Sequence, residues 1–267
     1  MIKNIVKLMF GLSIPNQKIN IYKTLLFNLL AFGIKGVLKC PVYIYRNTKI
    51  YSVGKINIEC TWERGMIRIG KLDLKSQGVT KFINRGEITI RGYVKIEGCT
   101  ILENYGTIIF NGFNRIADGS FVLIREELTI GEHTRLGLHS FIMDSDDHYS
   151  IDIETKKVVR NTKPIILGKY NWVASHSYIK KGVITPDYLI VASANALLIK
   201  DYSDMPPYSV IGGSPVKLIK SGIRRIYNTE EERKLKKYFC ENVDERMYKY
   251  DDLDDVDRIC TQTTYEF

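Results

Sequence analysis

The chain has 267 residues, of which 45% are hydrophobic and 26% charged, with 7 prolines. That composition supplies an ordinary globular core and excludes a disordered or collagen-like chain. The 39 Lys+Arg exceed the 30 Asp+Glu by nine, which favours an anionic partner: nucleic acid, a membrane surface or a phosphate-bearing small molecule. No basic and aromatic platform or nucleic-acid motif accompanies the charge, so nucleic acid is set aside. The five cysteines (Cys40, Cys60, Cys99, Cys240, Cys260) are odd in number and form no CxxC, a pattern that suits reduced thiols in a cytosol.

In chain order, the first apolar run is LLFNLLAFGIKGVL, residues 25–38. Asn28 and Lys35 interrupt it, and it is shorter than the roughly 20 apolar residues of a membrane span. The opening MIKNIVKLMFGLSIP carries Lys3 and Lys7 but no small-residue cleavage site, which argues against a signal peptide. Residues 17–35 predict a helix with Ile21, Leu25, Leu29 and Phe32 near one face. The helix either packs on its own domain or lets residues 1–38 make a peripheral membrane contact.

A six-residue period follows. Ile90, Ile96, Leu102 and Ile108 are six apart; so are Ile124, Ile130, Leu136 and Ile142; Leu167, Val173, Ile179, Val191 and Leu197 continue the step, with Thr185 in the one weak slot. The step from 108 to 124 is 16, which implies a register slip near Gly112. Six is three strand alternations, so every start points to the same side. Three hexads close one turn of a triangular coil, and stacked starts form apolar columns inside it. Gly131, Gly137, Gly168, Ala174 and Ala192 remove bulk where the chain bends. The expected fold is therefore mainly β, a parallel β-helix, with helical segments at both ends. It divides into an N-terminal segment (1–50), the β-helix (51–220) and a C-terminal helix with an acidic tail (221–267). Thr229 before Glu230, Glu231 and Glu232 reads as a capping box for a helix to about Phe239, followed by a loosely ordered acidic stretch, 241–257.

The repeat is broken once. Residues 144–164, DSDDHYSIDIETKKVVRNTKP, are polar and lack the period, so they leave the coil as a loop at a corner. His148 lies there, with Asp144, Asp146 and Asp147 within four residues. Imidazole suits proton removal near neutral pH, and a carboxylate can orient it. His133, His139 and His176 sit three residues after hexad starts, as surface or interface residues near corners. His133 and His139 fall on different faces, which speaks against a metal site.

The run LGKYNWVASHSYIKKGVITPDYLIVASANALLIKDYSDMPPYSVIGGSPVKLIK, 167–220, resembles the C-terminal coils of hexapeptide-repeat acyltransferases. It is similar to the galactoside, maltose and streptogramin acetyltransferases and to surface-polysaccharide O-acetyltransferases. The resemblance is close over 120–220 and looser over 65–120. It implies a left-handed β-helix, an exception to the usual crossover hand, a homotrimer, and acetyl-CoA as co-substrate without a metal. FIMDSDDHYSID, 141–152, resembles the segment bearing the family's catalytic histidine, which implies His148 as base and Asp146 as its orienter. Trp172 occupies the family tryptophan that lines the acceptor or pantetheine pocket; subunit packing is its other role. Ser175 and Ser193 match backbone positions along the pantetheine arm. Lys200, Lys217 and Lys220 are candidates for the CoA phosphates. The chain departs from the family's repeated IG at Thr185–Pro186, where the corner should differ locally.

The resemblance implies an O-acetyltransferase for a sugar hydroxyl in capsule, O-antigen or similar glycan synthesis, cytoplasmic or at the inner face of the membrane, with a free or lipid-linked glycan acceptor. No cysteine or GxSxG-like serine accompanies the site, which favours direct transfer. The alternatives are an antibiotic or amino-sugar N-acetyltransferase and a non-catalytic glycan-binding solenoid.

Overall fold

The computed structural model describes residues 19–71, 78–250 and 255–261. The opening segment through Lys18 and part of the acidic stretch, 251–254, lie outside the described residues. The chain winds into a left-handed parallel β-helix with three sheets. The first sheet runs from Val42–Ile44 through Ile67–Lys71, Val94–Glu97, Asn114–Ile116, Arg135–Leu136, Trp172–Val173 and Ile190–Val191 to Val210–Gly213. The second runs from Thr48–Ser52 to Leu197–Leu198, and the third from Lys55–Ile58 to Ile165–Leu167. After the last coil the chain reverses through Ser214–Pro215, and Val216–Lys220 pairs antiparallel with Val210–Gly213.

The expected columns form the core, with two kinds of correction, to the inward residue of a coil and to the register near Gly112. In the first sheet Ile96, Ile116, Leu136, Val173, Val191 and Ile211 stack in register, all buried. In the second the column is Leu102, Val122, Ile142, Ile179 and Leu198. Leu198, not Leu197, is the buried member, because Asn195 turns the chain at φ 58 and adds a residue to that coil. In the third the column is Ile90, Phe110, Ile130 and Leu167, not Ile108 as a start.

The second correction concerns Gly112. No slip occurs there. Upstream coils are simply longer: Ile96 pairs with Ile116 and Ile116's strand with Leu136. The two added residues sit at one corner, between the second and third sheets, at Tyr105–Gly106 and again at Arg125–Glu126. Loop 144–164 leaves the coil at that same corner. Close stacking explains the small residues: a Cβ on Gly131 would run into the backbone of Gly168. At the departing corner Thr185 is buried, donates from its hydroxyl to Asn171 Oδ1 at 2.6 Å and accepts from Gly168 N at 3.0 Å.

Corner residues three after a start adopt the left-handed conformation, among them Phe113, His133, Tyr170, Tyr188 and Tyr208, with φ from 53 to 60°. Their rings stack up one edge of the prism, Phe113 on His133 and His133 on Tyr170 each at 4.5 Å. His133, expected at the surface or an interface, is 5% exposed in an aromatic ladder, whereas His139 and His176 stack at 4.9 Å on an exposed corner.

Helix α1, Ile21–Lys39, closes the N-terminal end of the coil. Its buried residues are Thr24, Phe27, Asn28 and Gly36; of the apolar face read from the sequence, Phe32 packs partly buried against the core while Leu29 is exposed. The reason is the open edge of the first sheet. Asn28 accepts from Val42 N at 3.2 Å and donates to Val42 O at 2.8 Å, and Thr24 Oγ1 accepts from Ile44 N at 3.0 Å. Polar side chains face inward because that strand's peptide groups need partners. Phe27 fills the end against Phe82, ring to ring at 5.7 Å.

At the other end, residues 221–228 cross the outer face of the first sheet. Tyr227 donates to Asn171 O at 3.1 Å. Helix α2, Thr229–Glu241, follows, capped by Asn228 rather than Thr229: Asn228 Oδ1 accepts from Glu230 N at 3.0 Å. A short helix α3, Asp257–Cys260, buries Ile259 and Cys260.

Candidate active site

The loop is built from its first residue. Asp144 follows the buried column of the second sheet and is itself buried. Its carboxylate accepts from Arg125 N at 2.8 Å, Glu126 N at 2.7 Å and Glu127 N at 2.9 Å, which are the amides of the corner one coil below. Burial pushes its carboxyl above the usual carboxylate range against the pull of those three donors. The loop runs out and back, with antiparallel bridges at Ser145–Thr162 and Ile151–Val158. Asp147 pairs with Arg125 at 3.1 Å, and Asp146 pairs with Lys181. His148 is exposed beyond this clamped base. Among the described residues its imidazole has no hydrogen-bond partner, and the Asp146 carboxylate lies on Lys181 rather than on His148.

The expected site residues fall on three parts of the prism. Lys200 stands above Lys181 on the corner between the second and third sheets, the corner that carries Asp146 and His148. Ser175 and Ser193 follow Val173 and Val191 at the corner between the first and second sheets. Ser175 Oγ accepts from Leu138 N at 3.2 Å, and Ser193 Oγ from Gly213 N at 2.8 Å, so both hydroxyls tie one coil to the next. Trp172 points outward from the first sheet, with 41% of its surface exposed. Along that outer face Trp172 is in register with Ile190, Ile190 with Val210, and Val210 with Lys220. Three strand spacings separate Trp172 from Lys220, about 14 Å. Lys217 lies on the same terminal strand, opposite Gly212.

The first sheet is the side of the triangle opposite the loop's corner. One chain therefore keeps His148 apart from Trp172 and Lys220.

Three contributors escape the sequence reading, and a fourth, Asp144, appears there only as a neighbour of His148. Arg225 stacks on Trp172, 4.6 Å from the ring centroid. Lys181 holds Asp146, Arg125 holds Asp147, and Asp144 fastens the loop. The Arg224–Arg225 pair, one residue after GGSPVKLIKSG, was the available signal for the first. Among the described residues no three His, Cys, Asp or Glu side chains gather to hold a metal.

A three-sided hexad solenoid broken once by a histidine-bearing loop defines a class, and the chain resembles hexapeptide-repeat acyltransferases. No family model matches it. Over 130 residues it is 26% identical to the polysialic acid O-acetyltransferase of Escherichia coli O1:K1, a match covering 49% of this chain and 39% of that protein. The chain thus spans about two fifths of the curated relative it matches. Among solved structures it is similar to the polysialic acid O-acetyltransferase OatWY, at 18% identity over 74% of this chain and 94% of that one, with a TM-score of 0.42. It is also similar to a hexapeptide-repeat acetyltransferase of Vibrio cholerae O1 biovar eltor in complex with acetyl coenzyme A, at 18% identity over 66% and 70% of the chains, with a TM-score of 0.30.

Proposed function

We propose that the chain is an acetyl-CoA-dependent O-acetyltransferase acting on a sugar hydroxyl during surface-polysaccharide synthesis in the cytoplasm. The observation that carries this reading is the break in the coil at residues 144–164, which presents His148 from a base clamped by Asp144. The similarity to a polysialic acid O-acetyltransferase supports a glycan acceptor.

His148 takes the proton of the sugar hydroxyl as its oxygen attacks the thioester carbonyl. A backbone N–H holds the developing oxyanion. The tetrahedral intermediate collapses, the C–S bond breaks, and the imidazolium returns its proton to the CoA sulfur. In this reading Asp146 and Lys181 position the loop that carries the base, and no acyl-enzyme forms.

The site is completed by a second copy. The loop corner and the outer face of the first sheet are opposite sides of one chain, and a cyclic trimer sets the corner of one copy beside the face of the next. In that cleft Trp172, stacked on Arg225, suits the reacting end of the pantetheine arm, and Lys217 and Lys220 suit its phosphates. Ser175 and Ser193 offer backbone along the arm. Lys200 belongs with the loop corner and meets the CoA phosphates only from the neighbouring copy.

The test is CoA thiol release from acetyl-CoA with a panel of sugar acceptors. Acceptor-dependent release by the wild type, lost in His148→Ala while CoA still binds, is the expected result. Absence of CoA binding overturns the proposal in favour of a non-catalytic solenoid, and release with amines alone turns it to N-acetylation.

A further inference from the structure

The charge excess of the chain has one source. Residues 1–58 hold nine lysines and arginines and no Asp or Glu, Glu59 being the first acidic residue, while the other 209 residues hold 30 of each sign. The same stretch contains α1, whose outward side is apolar. Tyr22, Leu26, Leu29 and Leu30 recur at helical spacing and are exposed, Leu26 by 56%, and Ile34 and Leu38, beyond the break in the helix at Gly33, are exposed as well, Ile34 by 75%. Lys23, Lys35 and Lys39 each follow a member of that stripe and so flank it. Beside it, Trp62 packs edge-on to Phe32 at 5.0 Å, with Lys35 Nζ 4.3 Å from its ring centroid.

We infer that the outer face of α1 seats the protein on an anionic bilayer. A contiguous apolar stripe of this size marks an interaction surface, and an apolar face flanked by lysines with a tryptophan beside it suits the headgroup boundary. Charge decides among the occupants. A second copy on the same face would set two basic regions against each other. The segment before the helix adds Lys3, Lys7 and Lys18 and no acid, so it brings more of the same sign. Anionic headgroups supply the missing sign.

The helix lies on the bilayer and does not cross it. Its composition and 19-residue length would allow a span, but Thr24 and Asn28 are bonded to the peptide groups of Val42 and Ile44. Inserting α1 would strip those partners and open the sheet edge. Gly33 also leaves the helical conformation, at φ 64 and ψ −153°. The inference deepens the proposed function in one respect. The loop's coil stands four strand spacings beyond Val42–Ile44, about 19 Å, a reach that suits a glycan held at the membrane by its lipid. Vesicle binding itself needs no catalysis, so it stands or falls apart from the activity.

The experiment is co-sedimentation of the full chain with vesicles of phosphatidylcholine alone or mixed with phosphatidylglycerol. The wild type should pellet with the mixed vesicles, not with phosphatidylcholine alone, and be released by high salt. The triple variant Leu26→Gln/Leu30→Gln/Ile34→Gln should bind at least tenfold more weakly, while keeping its melting temperature, oligomeric state and turnover of a soluble acceptor. Failure of the wild type to pellet overturns the inference, as does equal binding by the variant. A change of oligomeric state or a large fall in melting temperature in the variant also overturns it, since the stripe would then be covered by a second copy or by the chain itself.

Discussion

His148 and Trp172 sit on opposite sides of the same coil: the histidine on a loop leaving the corner between the second and third sheets, the tryptophan facing outward from the first sheet. A reaction that needs both has to take them from two copies. The proposed shared site rests on where the chain leaves its own repeat.

Lys220 ends the outer row that begins at Trp172. Lys220→Glu should raise the KM for acetyl-CoA by about tenfold and leave kcat nearly unchanged, because a phosphate contact remote from the thioester binds ground and transition state alike. Steady-state kinetics with acetyl-CoA and with its 3′-dephospho form should show the variant discriminating less between them.

Asp144 holds three corner amides from a buried position. Asp144→Ala leaves those donors without their acceptor and should cost about 3 kcal/mol of stability, read as a fall in urea midpoint. Asp144→Asn keeps one carbonyl acceptor and should fall between the two.

Tyr227 is 3% exposed and anchors the C-terminal segment on Asn171. Burial pushes its hydroxyl up to about 12. The unfolded chain then loses this proton at lower pH than the folded one, so the group's contribution is complete below about pH 10 and falls away as the pH rises toward 12. Tyr227→Phe should lose about 1 kcal/mol at neutral pH with the hydrogen bond. Its stability should also decline less steeply than the wild type's over the alkaline range, measured by urea denaturation at each pH.

His148 lies beyond the clamped base of its loop. His148→Ala should reduce kcat by two to four orders of magnitude, the usual worth of a general base, with little change in CoA affinity by calorimetry. Lys181→Ala should lower kcat less, and its effect should shrink with Lys181→Arg, which can still hold Asp146.

The downstream columns were legible because hexads from Leu167 keep their step, so Leu167, Val173 and Ile179 could be placed inside from spacing alone. The upstream coils hid their true length: two residues added at one corner shift the phase in every turn, and the shift near Gly112 looked like a single slip. The aromatic ladder was legible in part: His133, Tyr170 and Tyr188 lie three residues past Ile130, Leu167 and Thr185, whereas Phe113 follows Phe110, a start hidden by the longer upstream coil, and Tyr208 follows no start in the pattern. The inward face of α1 was not, because Thr24 and Asn28 answer to unpaired peptide groups of a strand some 15 residues away, and hydrophobic periodicity cannot see that demand. The loop and His148 stood out as the polar interruption between the hexads at Ile142 and Leu167. The separation of His148 from Trp172 required the order of the sheets, which no local motif contains.

The most direct test of the account is complementation. His148→Ala and Trp172→Ala chains, each inactive alone, should regain turnover when co-expressed, to about one quarter of the wild-type rate for random cyclic assembly at equal expression. That recovery requires sites that take His148 from one chain and Trp172 from its neighbour. No recovery from a mixture shown by mass to form mixed oligomers would contradict the shared site.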